Sequence, residues 1–134
     1  WQTFRKVTME SKIIETSQAP SAIGPYSQGV SVDGFLYTSG QIALNPKNME
    51  MMNGQIEEET EWVLKNIAAI LKADGMKRTH IIKTTVYLTD LKDFSRMNRV
   101  YENFFEDTKP ARACIQVVAL PKGAKVEIDA IAHK

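Results

Sequence analysis

The chain of 134 residues has a single cysteine, Cys114, and only two histidines, His80 and His133. One cysteine cannot form an intrachain disulfide, and it cannot supply a cysteine-based metal site. The two histidines lie far apart in the sequence and lack the spacing of paired metal ligands. We therefore expect no metal centre, and a reducing compartment suits this cysteine usage best.

The sequence also lacks an excess of charge of either sign and any long apolar run. Lysine and arginine number 17 and aspartate and glutamate 16, so the formal net charge is +1. A dedicated nucleic-acid or membrane-surface binder needs clustered positive charge, and the longest basic cluster here is the pair Lys77-Arg78. No run approaches the roughly 20 apolar residues that a membrane helix requires. These absences disfavour both a nucleic-acid partner and a membrane partner.

What is present suits one globular domain. Hydrophobic residues make up 43% and charged residues 25%, which is ordinary for a folded protein. We assign residues 11–134 to a single domain and residues 1–10 to an N-terminal extension or processing remnant. Residues 1–8 share the basic and hydroxyl composition of transit peptides, but they are too few to identify one. A cytoplasmic location is expected, with a mitochondrion or another organelle as the alternative.

Hydrophobic periodicity and turn residues predict the order β-β-β-α-β-α-β-β. The predicted strands are residues 11–15, 29–32, 35–38, 80–89, 112–120 and 125–132. The predicted helices are residues 55–74 and 93–105. Asp33-Gly34 is a strong signal for a two-residue hairpin turn, and Gly75 supplies a stop for the first helix. We expect an α/β (α+β) domain with two helices on one face of a mixed sheet, and parallel strands on either side of the second helix.

The last two predicted strands are expected to form a hairpin through a turn at residues 121–124. Their apolar residues pair under the helices in a register that places Ala119 near Val126 and Ala113 near Ala132. The opposite face then carries Arg112, Cys114, Gln116, Val118, Lys125, Glu127, Asp129 and Ile131. A half-polar face of this kind can be closed by a second chain, which creates clefts between subunits.

Arg112 and Glu127 are the residues on that face with the chemistry of a site. An arginine offers a planar fork that binds a carboxylate, which lysine does not imitate. A nearby carboxylate can take a proton from water or hold the water in place. The alternative is a cross-strand ion pair on a solvated sheet, since most charges on strands are solvated. Spacing alone leaves both interpretations open.

Five segments of the chain resemble the reactive intermediate deaminase (Rid) family, also called YjgF-type proteins. They are PARACIQVVALPKGAKVEIDAIA (110–132), SQAPSAIGPYSQG (17–29), SGQI (39–42), KTTVYLTDLKDF (83–94) and NRVYENFF (98–105). The segments come in the family's order and spacing, and the presence of both arginine and glutamate is most similar to the RidA branch. The resemblance implies a chorismate-mutase-like fold that assembles as a homotrimer with three sites between subunits.

The resemblance also implies an activity, the hydrolysis of 2-imino or enamine acids to 2-oxo acids and ammonia. The substrates include 2-iminobutanoate and 2-iminopropanoate, which leak from pyridoxal-phosphate enzymes. An imine carbon is already electrophilic, so the reaction needs orientation and a placed water and no cofactor.

Residue roles follow from the same resemblance. Arg112 matches the arginine that binds the substrate carboxylate, and Glu127 matches the glutamate linked to the attacking water. Tyr26 matches the tyrosine of a loop that closes the pocket. The positions that line or border the pocket are Ser39, Gly40, Asn98 and Cys114. Val118 departs from the small residue usual in the family, a change that would narrow the pocket or shift subunit packing.

Two other functions stay open. One is a noncatalytic regulatory trimer that binds small carboxylates, which would keep Arg112 without needing Glu127. The other is an RNA-cleaving translation inhibitor, against which the balanced charge argues. Cys114 is interpreted as a small buried hydrophobe rather than a nucleophile, and Ser39 as a hydrogen-bonding residue. The aromatic residues of the second helix are interpreted as core or interface residues.

Overall fold

The computed structural model describes residues 10–134, so the predicted extension lies outside the described residues except for its last member. In chain order the strands and helices are β1 Lys12–Ile14, β2 Gly29–Val32, β3 Phe35–Thr38, α1 Ile56–Ala73, β4 Ile81–Leu88, α2 Phe94–Phe105, β5 Ala111–Gln116 and β6 Val126–His133. This is the predicted order. The mixed six-stranded sheet with two helices is confirmed.

The first helix forms where its apolar residues recur at helical spacing. Ile56, Val63, Ile67 and Ile70 make one fully buried stripe that packs on the sheet. The helix ends next to Gly75, whose φ of 69° is in the left-handed region that suits glycine. Within residues 10–134, no helix has both the length and the apolar character to cross a membrane.

The strands lie in the order β1-β2-β3-β6-β4-β5. Strands β2 and β3 form the predicted hairpin, with positive φ at Asp33 and Gly34 of 51° and 80°, as a type I′ turn requires. Strands β4 and β5, which flank α2, are parallel as predicted, and the other pairs are antiparallel.

The predicted hairpin between the last two strands is wrong, and so is its register. Strand β4 lies between β5 and β6, so that Val86 is opposite Cys114 on one side and Ile128 on the other. The Val117 amide still donates to the Leu88 carbonyl at 2.8 Å, beside the end of β4. The connection from β5 to β6 must cross the end of β4, a distance of two strand spacings or about 10 Å. The nine residues between β5 and β6 are long enough for this.

The predicted side-chain directions of β5 are also wrong. Thr84 is buried under the helices and lies opposite Arg112, so Arg112 points toward the helical layer. Tyr87 faces away from the helices and lies opposite Glu127. Arg112 and Glu127 therefore occupy opposite faces of the sheet. Every residue of this edge strand except half-buried Cys114 is exposed, so burial could not select the correct face.

The face of the sheet away from the helices remains open in one chain. It exposes large apolar side chains, with relative exposures of 63% for Ile13, 45% for Tyr37 and 46% for Ile115. The expected position of Val118 on a strand face is wrong, because Val118 follows β5 in a loop and is fully exposed. This open face has the mixed character that we expect a second chain to cover.

Candidate active site

Arg112 reaches from edge strand β5 to helix α2. Its guanidinium carbon lies 4.7 Å from the ring centre of Tyr101 and 5.4 Å from that of Phe94. Its Nη1 donates a hydrogen bond to Asn98 Oδ1 at 2.6 Å. An arginine carries five N–H donors, so this arrangement fixes the guanidinium and leaves donors free for a ligand.

A cavity of about 650 Å³ opens beside Arg112, between α2 and the segment that leads into β5. Asn98, Tyr101, Phe105 and Pro110 contribute to its wall together with Arg112. The volume falls within the usual range of small-molecule sites. The cavity is large enough for a small acid, and Arg112 is one of its lining residues.

Cys114 points to the same side of β5 as Arg112, two residues further along the strand. Its side chain packs partly against the hydrophobic core. Burial raises the pKa of the Cys114 thiol, and the nearby charge of Arg112 opposes this only in part. A thiol with a raised pKa is a poor nucleophile, which suits the interpretation of Cys114 as a small apolar residue.

Glu127 belongs to a second cleft, of about 230 Å³, that also includes Tyr26, Gly40 and Pro121. The carboxylate of Glu127 lies where a side chain of residue 40 would lie, because a Cβ built on Gly40 would be 2.8 Å from Glu127 Cδ. A side chain at this position would therefore displace the Glu127 carboxylate. The φ of Gly40 is not in the left-handed region.

Backbone and side-chain bonds hold the loops around this cleft. The Gln41 amide donates to the Ile128 carbonyl at 2.9 Å, and the Ile128 amide donates to the Gln41 carbonyl at 3.1 Å. The Ser39 hydroxyl donates to the Ser27 carbonyl. Ser39 therefore borders the cleft and, within one chain, its hydroxyl bonds to the loop backbone.

Gln28 is a structural residue of this site to which the sequence assigns no role. It is 4% exposed, and its Nε2 donates to three carbonyls, those of Thr16, Ala19 and Pro20, at 2.8–3.1 Å. Its Oε1 accepts from the Thr16 amide at 2.7 Å. These bonds shape the loop that carries Tyr26. The burial of Gln28 could not be predicted from the sequence, because glutamine is a mostly exposed residue type.

Electrostatics distinguish Glu127 from an ordinary surface glutamate. Burial raises its pKa, and the negative charge of Asp129 raises it further. Burial also raises the pKa of Asp129, although the Tyr87 hydroxyl donates to its Oδ2 at 3.3 Å and favours the charged form. A carboxylate with a raised pKa accepts a proton more readily near neutral pH.

The structure thus divides the predicted site residues into two groups. Tyr26, Gly40 and Glu127 share the smaller cleft, with Ser39 beside it. Arg112 and Asn98 share the larger cavity, and Cys114 follows on the same side of β5. Within one chain Arg112 and Glu127 do not meet.

Comparison with known proteins places the chain in a family. The family model described as Endoribonuclease L-PSP matches residues 16–134. The human 2-iminobutanoate/2-iminopropanoate deaminase is 48% identical over 121 residues, which cover 90% of this chain and 88% of the human protein. Protein DfrA of Myxococcus xanthus is 51% identical over 126 residues, which cover 92% of this chain and 96% of that protein.

Solved structures agree with these sequence relatives. The crystal structure of E. coli TdcF with bound serine matches with a TM-score of 0.88 and 46% identity, and the match covers 92% of this chain and 98% of TdcF. The structure of the YjgF gene product from E. coli matches equally well, with a TM-score of 0.88 and 45% identity. The chain therefore belongs to the YjgF or Rid family, as its motifs indicated.

Proposed function

We propose that this protein hydrolyses 2-imino acids, such as 2-iminobutanoate and 2-iminopropanoate, to 2-oxo acids and ammonia. The observation that carries the proposal is the guanidinium of Arg112, fixed by α2 beside a cavity with N–H donors left free. The relatives that bear the deaminase name support the same reaction. The substrates would come from pyridoxal-phosphate enzymes.

Arg112 is proposed to bind the substrate carboxylate through two parallel hydrogen bonds. Such a pair fixes the plane of the ligand as well as its position. The imine carbon is then held in one orientation relative to a water molecule, and orientation of this kind lowers the barrier by several kcal/mol.

Glu127 is proposed to take a proton from the attacking water. The water oxygen forms a bond to C2 of the imine, and the imine nitrogen takes up a proton from solvent. Glu127 then returns its proton to the amine of the resulting amino alcohol. The hydroxyl loses its proton to solvent, and ammonia leaves as the C–N bond breaks and the C2–O double bond forms. One imino acid and one water thus yield one 2-oxo acid and one ammonia. Tyr26, on the loop beside Glu127, is proposed to close the pocket.

The separation of Arg112 and Glu127 within one chain supports a site shared between chains. We propose a homotrimer in which Arg112, Asn98 and Cys114 of one subunit meet Tyr26, Ser39, Gly40 and Glu127 of its neighbour. The exposed apolar residues of the open sheet face supply the surface that such an assembly would bury.

The proposed reaction can be tested with freshly generated 2-iminobutanoate, made by a dehydratase in the same cuvette. The protein should accelerate the appearance of 2-oxobutanoate above the spontaneous rate. An unchanged rate over a wide range of protein concentrations would remove the deaminase proposal and leave the carboxylate-binding regulator.

The shared site can be tested by mixing two variants of low activity. Chains carrying Arg112→Lys and chains carrying Glu127→Gln are unfolded together and allowed to reassemble. A site between chains then regains both native residues at some interfaces, so activity should return. If each site lies within one chain, the activity of the mixture stays at the low average of its components.

A further inference from the structure

The three side chains of helix α2 that contact Arg112, two rings and an amide, carry no charge. We propose that Asn98 is the positioning residue of the site, and that its neutral amide keeps the positive charge of Arg112 available for a carboxylate ligand. This inference rests on the proposed role of Arg112 as the carboxylate anchor.

The three partners of Arg112 come from one stripe of the helix. Phe94, Asn98 and Tyr101 stand four and three residues apart, a spacing that places side chains on one helical face. The Tyr101 ring is itself fixed, because its hydroxyl lies 2.6 Å from Thr84 Oγ1. Thr84 is the cross-strand neighbour of Arg112. The stripe and the strand therefore define one position for the guanidinium.

Hydrogen bonding also determines the orientation of the Asn98 amide. Arginine has donors and no acceptor, so Asn98 must present its oxygen to Arg112. Its Nδ2 then points away and donates to Glu102 Oε1 at 3.1 Å. An asparagine satisfies both neighbours at once, because it carries an acceptor and a donor on the same group.

Two other arginines form ion pairs with glutamates, in contrast to Arg112. Arg96 forms hydrogen bonds to Glu57 at 3.0 and 2.8 Å, and Arg78 forms one to Glu106 at 2.8 Å. Within residues 10–134 the ion pairs involve other cations, and none includes Arg112. An aspartate at position 98 has the size to accept the same bond, but its negative charge would compete with a ligand carboxylate.

The test is the pair of variants Asn98→Asp and Asn103→Asp on the assembled protein. Both add one negative charge to α2, but Asn103 is exposed and contributes to a groove with α1 away from Arg112. Calorimetry measures the binding of 2-oxobutanoate, which is the proposed product of 2-iminobutanoate hydrolysis. Asn98→Asp should weaken binding about tenfold to a hundredfold, the range for loss of one charge-assisted bond. Asn103→Asp should change it less than about twofold.

Kinetics separate this role from a purely structural one. With 2-iminobutanoate as substrate, Asn98→Asp should raise KM by the same factor as the dissociation constant and leave kcat within about threefold. Thermal unfolding should change little, since the new ion pair with Arg112 offsets the lost bond to Glu102 and the repulsion between the two carboxylates. A fall in kcat with KM unchanged would contradict the proposed role.

The remaining outcomes are also decisive. If Asn98→Asp binds 2-oxobutanoate as tightly as the parent, or if Asn103→Asp loses as much affinity, the inference is overturned. If the parent binds no 2-oxobutanoate, the carboxylate anchor and this inference fail together. If Asn98→Asp binds 2-oxobutanoate more weakly than Asn103→Asp and the parent, but none of the three proteins hydrolyses 2-iminobutanoate, the inference stands and only the proposed reaction is wrong.

Discussion

Arg112 and Glu127 are placed in contrasting surroundings by the same sheet. Arg112 stands on edge strand β5, exposed to solvent, with two rings and an amide as partners. Glu127 stands on β6, between β3 and β4, where burial raises its pKa. The edge keeps a cation available for ligands, and the interior makes a carboxylate easier to protonate. Position in the sheet thus suits one residue to binding and the other to proton transfer.

The largest effect should come from removing Glu127, the proposed proton acceptor. Glu127→Gln keeps the size of the side chain, but an amide cannot take a proton from water. Hydrolysis of 2-iminobutanoate should fall by about a hundredfold to ten-thousandfold, the usual contribution of a general base. Binding of 2-oxobutanoate, measured by calorimetry, should stay close to that of the parent.

The same residue should set the acid side of the pH profile. Because the pKa of Glu127 is raised, kcat/KM should fall on acidification with a midpoint above the ordinary glutamate value of about 4.3. An activity of Glu127→Gln equal to that of the parent would make the glutamate structural and favour the regulator.

Replacing Arg112 by lysine, which keeps the positive charge, should have the next largest effect. Arg112→Lys loses the planar fork, and loss of one charge-assisted bond predicts a fall in kcat/KM of about tenfold to a hundredfold. Affinity for 2-oxobutanoate should fall with it, in contrast to Glu127→Gln. Sedimentation should show the same assembly as the parent. Undiminished 2-oxobutanoate affinity would place the carboxylate anchor elsewhere.

A smaller effect is expected at Gly40, which contributes to the cleft of Glu127 and not to the cavity of Arg112. A Cβ at this position would push the Glu127 carboxylate aside, so Gly40→Ala should lower kcat about tenfold by misplacing the proposed base. Gly54→Ala is the matched control, because its Cβ would meet the end of the exposed Glu58 side chain, which can move. Equal activity of the two variants would show that the Glu127 carboxylate tolerates displacement.

The smallest effect concerns stability. Because the pKa of Asp129 is raised in the folded state, folding favours its protonated form, and stability is lost as pH rises above the unfolded value of about 3.9. Asp129→Asn should therefore unfold at a higher temperature than the parent at pH 7. The difference should vanish below about pH 3.9, where both side chains are neutral. A less stable variant at pH 7 would mean that the aspartate charge is favourable.

Local features of this chain could be predicted from sequence because neighbouring residues determine them. The first helix was predicted over residues 55–74 and spans Ile56–Ala73. The turn at Asp33-Gly34 forms as its residue types indicate. The parallel pairing of β4 with β5 follows from the handedness of the crossover through α2.

The position of β6 could not be predicted in the same way. Residues 121–124 resemble a hairpin turn, and a sequence does not show that a strand already paired on one edge accepts another on its opposite edge. The roles of Phe94 and Tyr101 were missed for a related reason. Both were assigned to the core or an interface, but they also stack on Arg112, a contact that exists only once α2 has packed over β5.

The stacking of Arg112 on α2 has a consequence for the entropy of ligand binding. An arginine side chain free in solvent samples many rotamers, and fixing them costs about 2 kcal/mol. Here the two rings and the amide restrict those rotamers when the domain folds. The proposed carboxylate ligand would therefore meet a side chain that has little conformational freedom left to lose. Its affinity would be higher because Arg112 is already ordered when the domain folds.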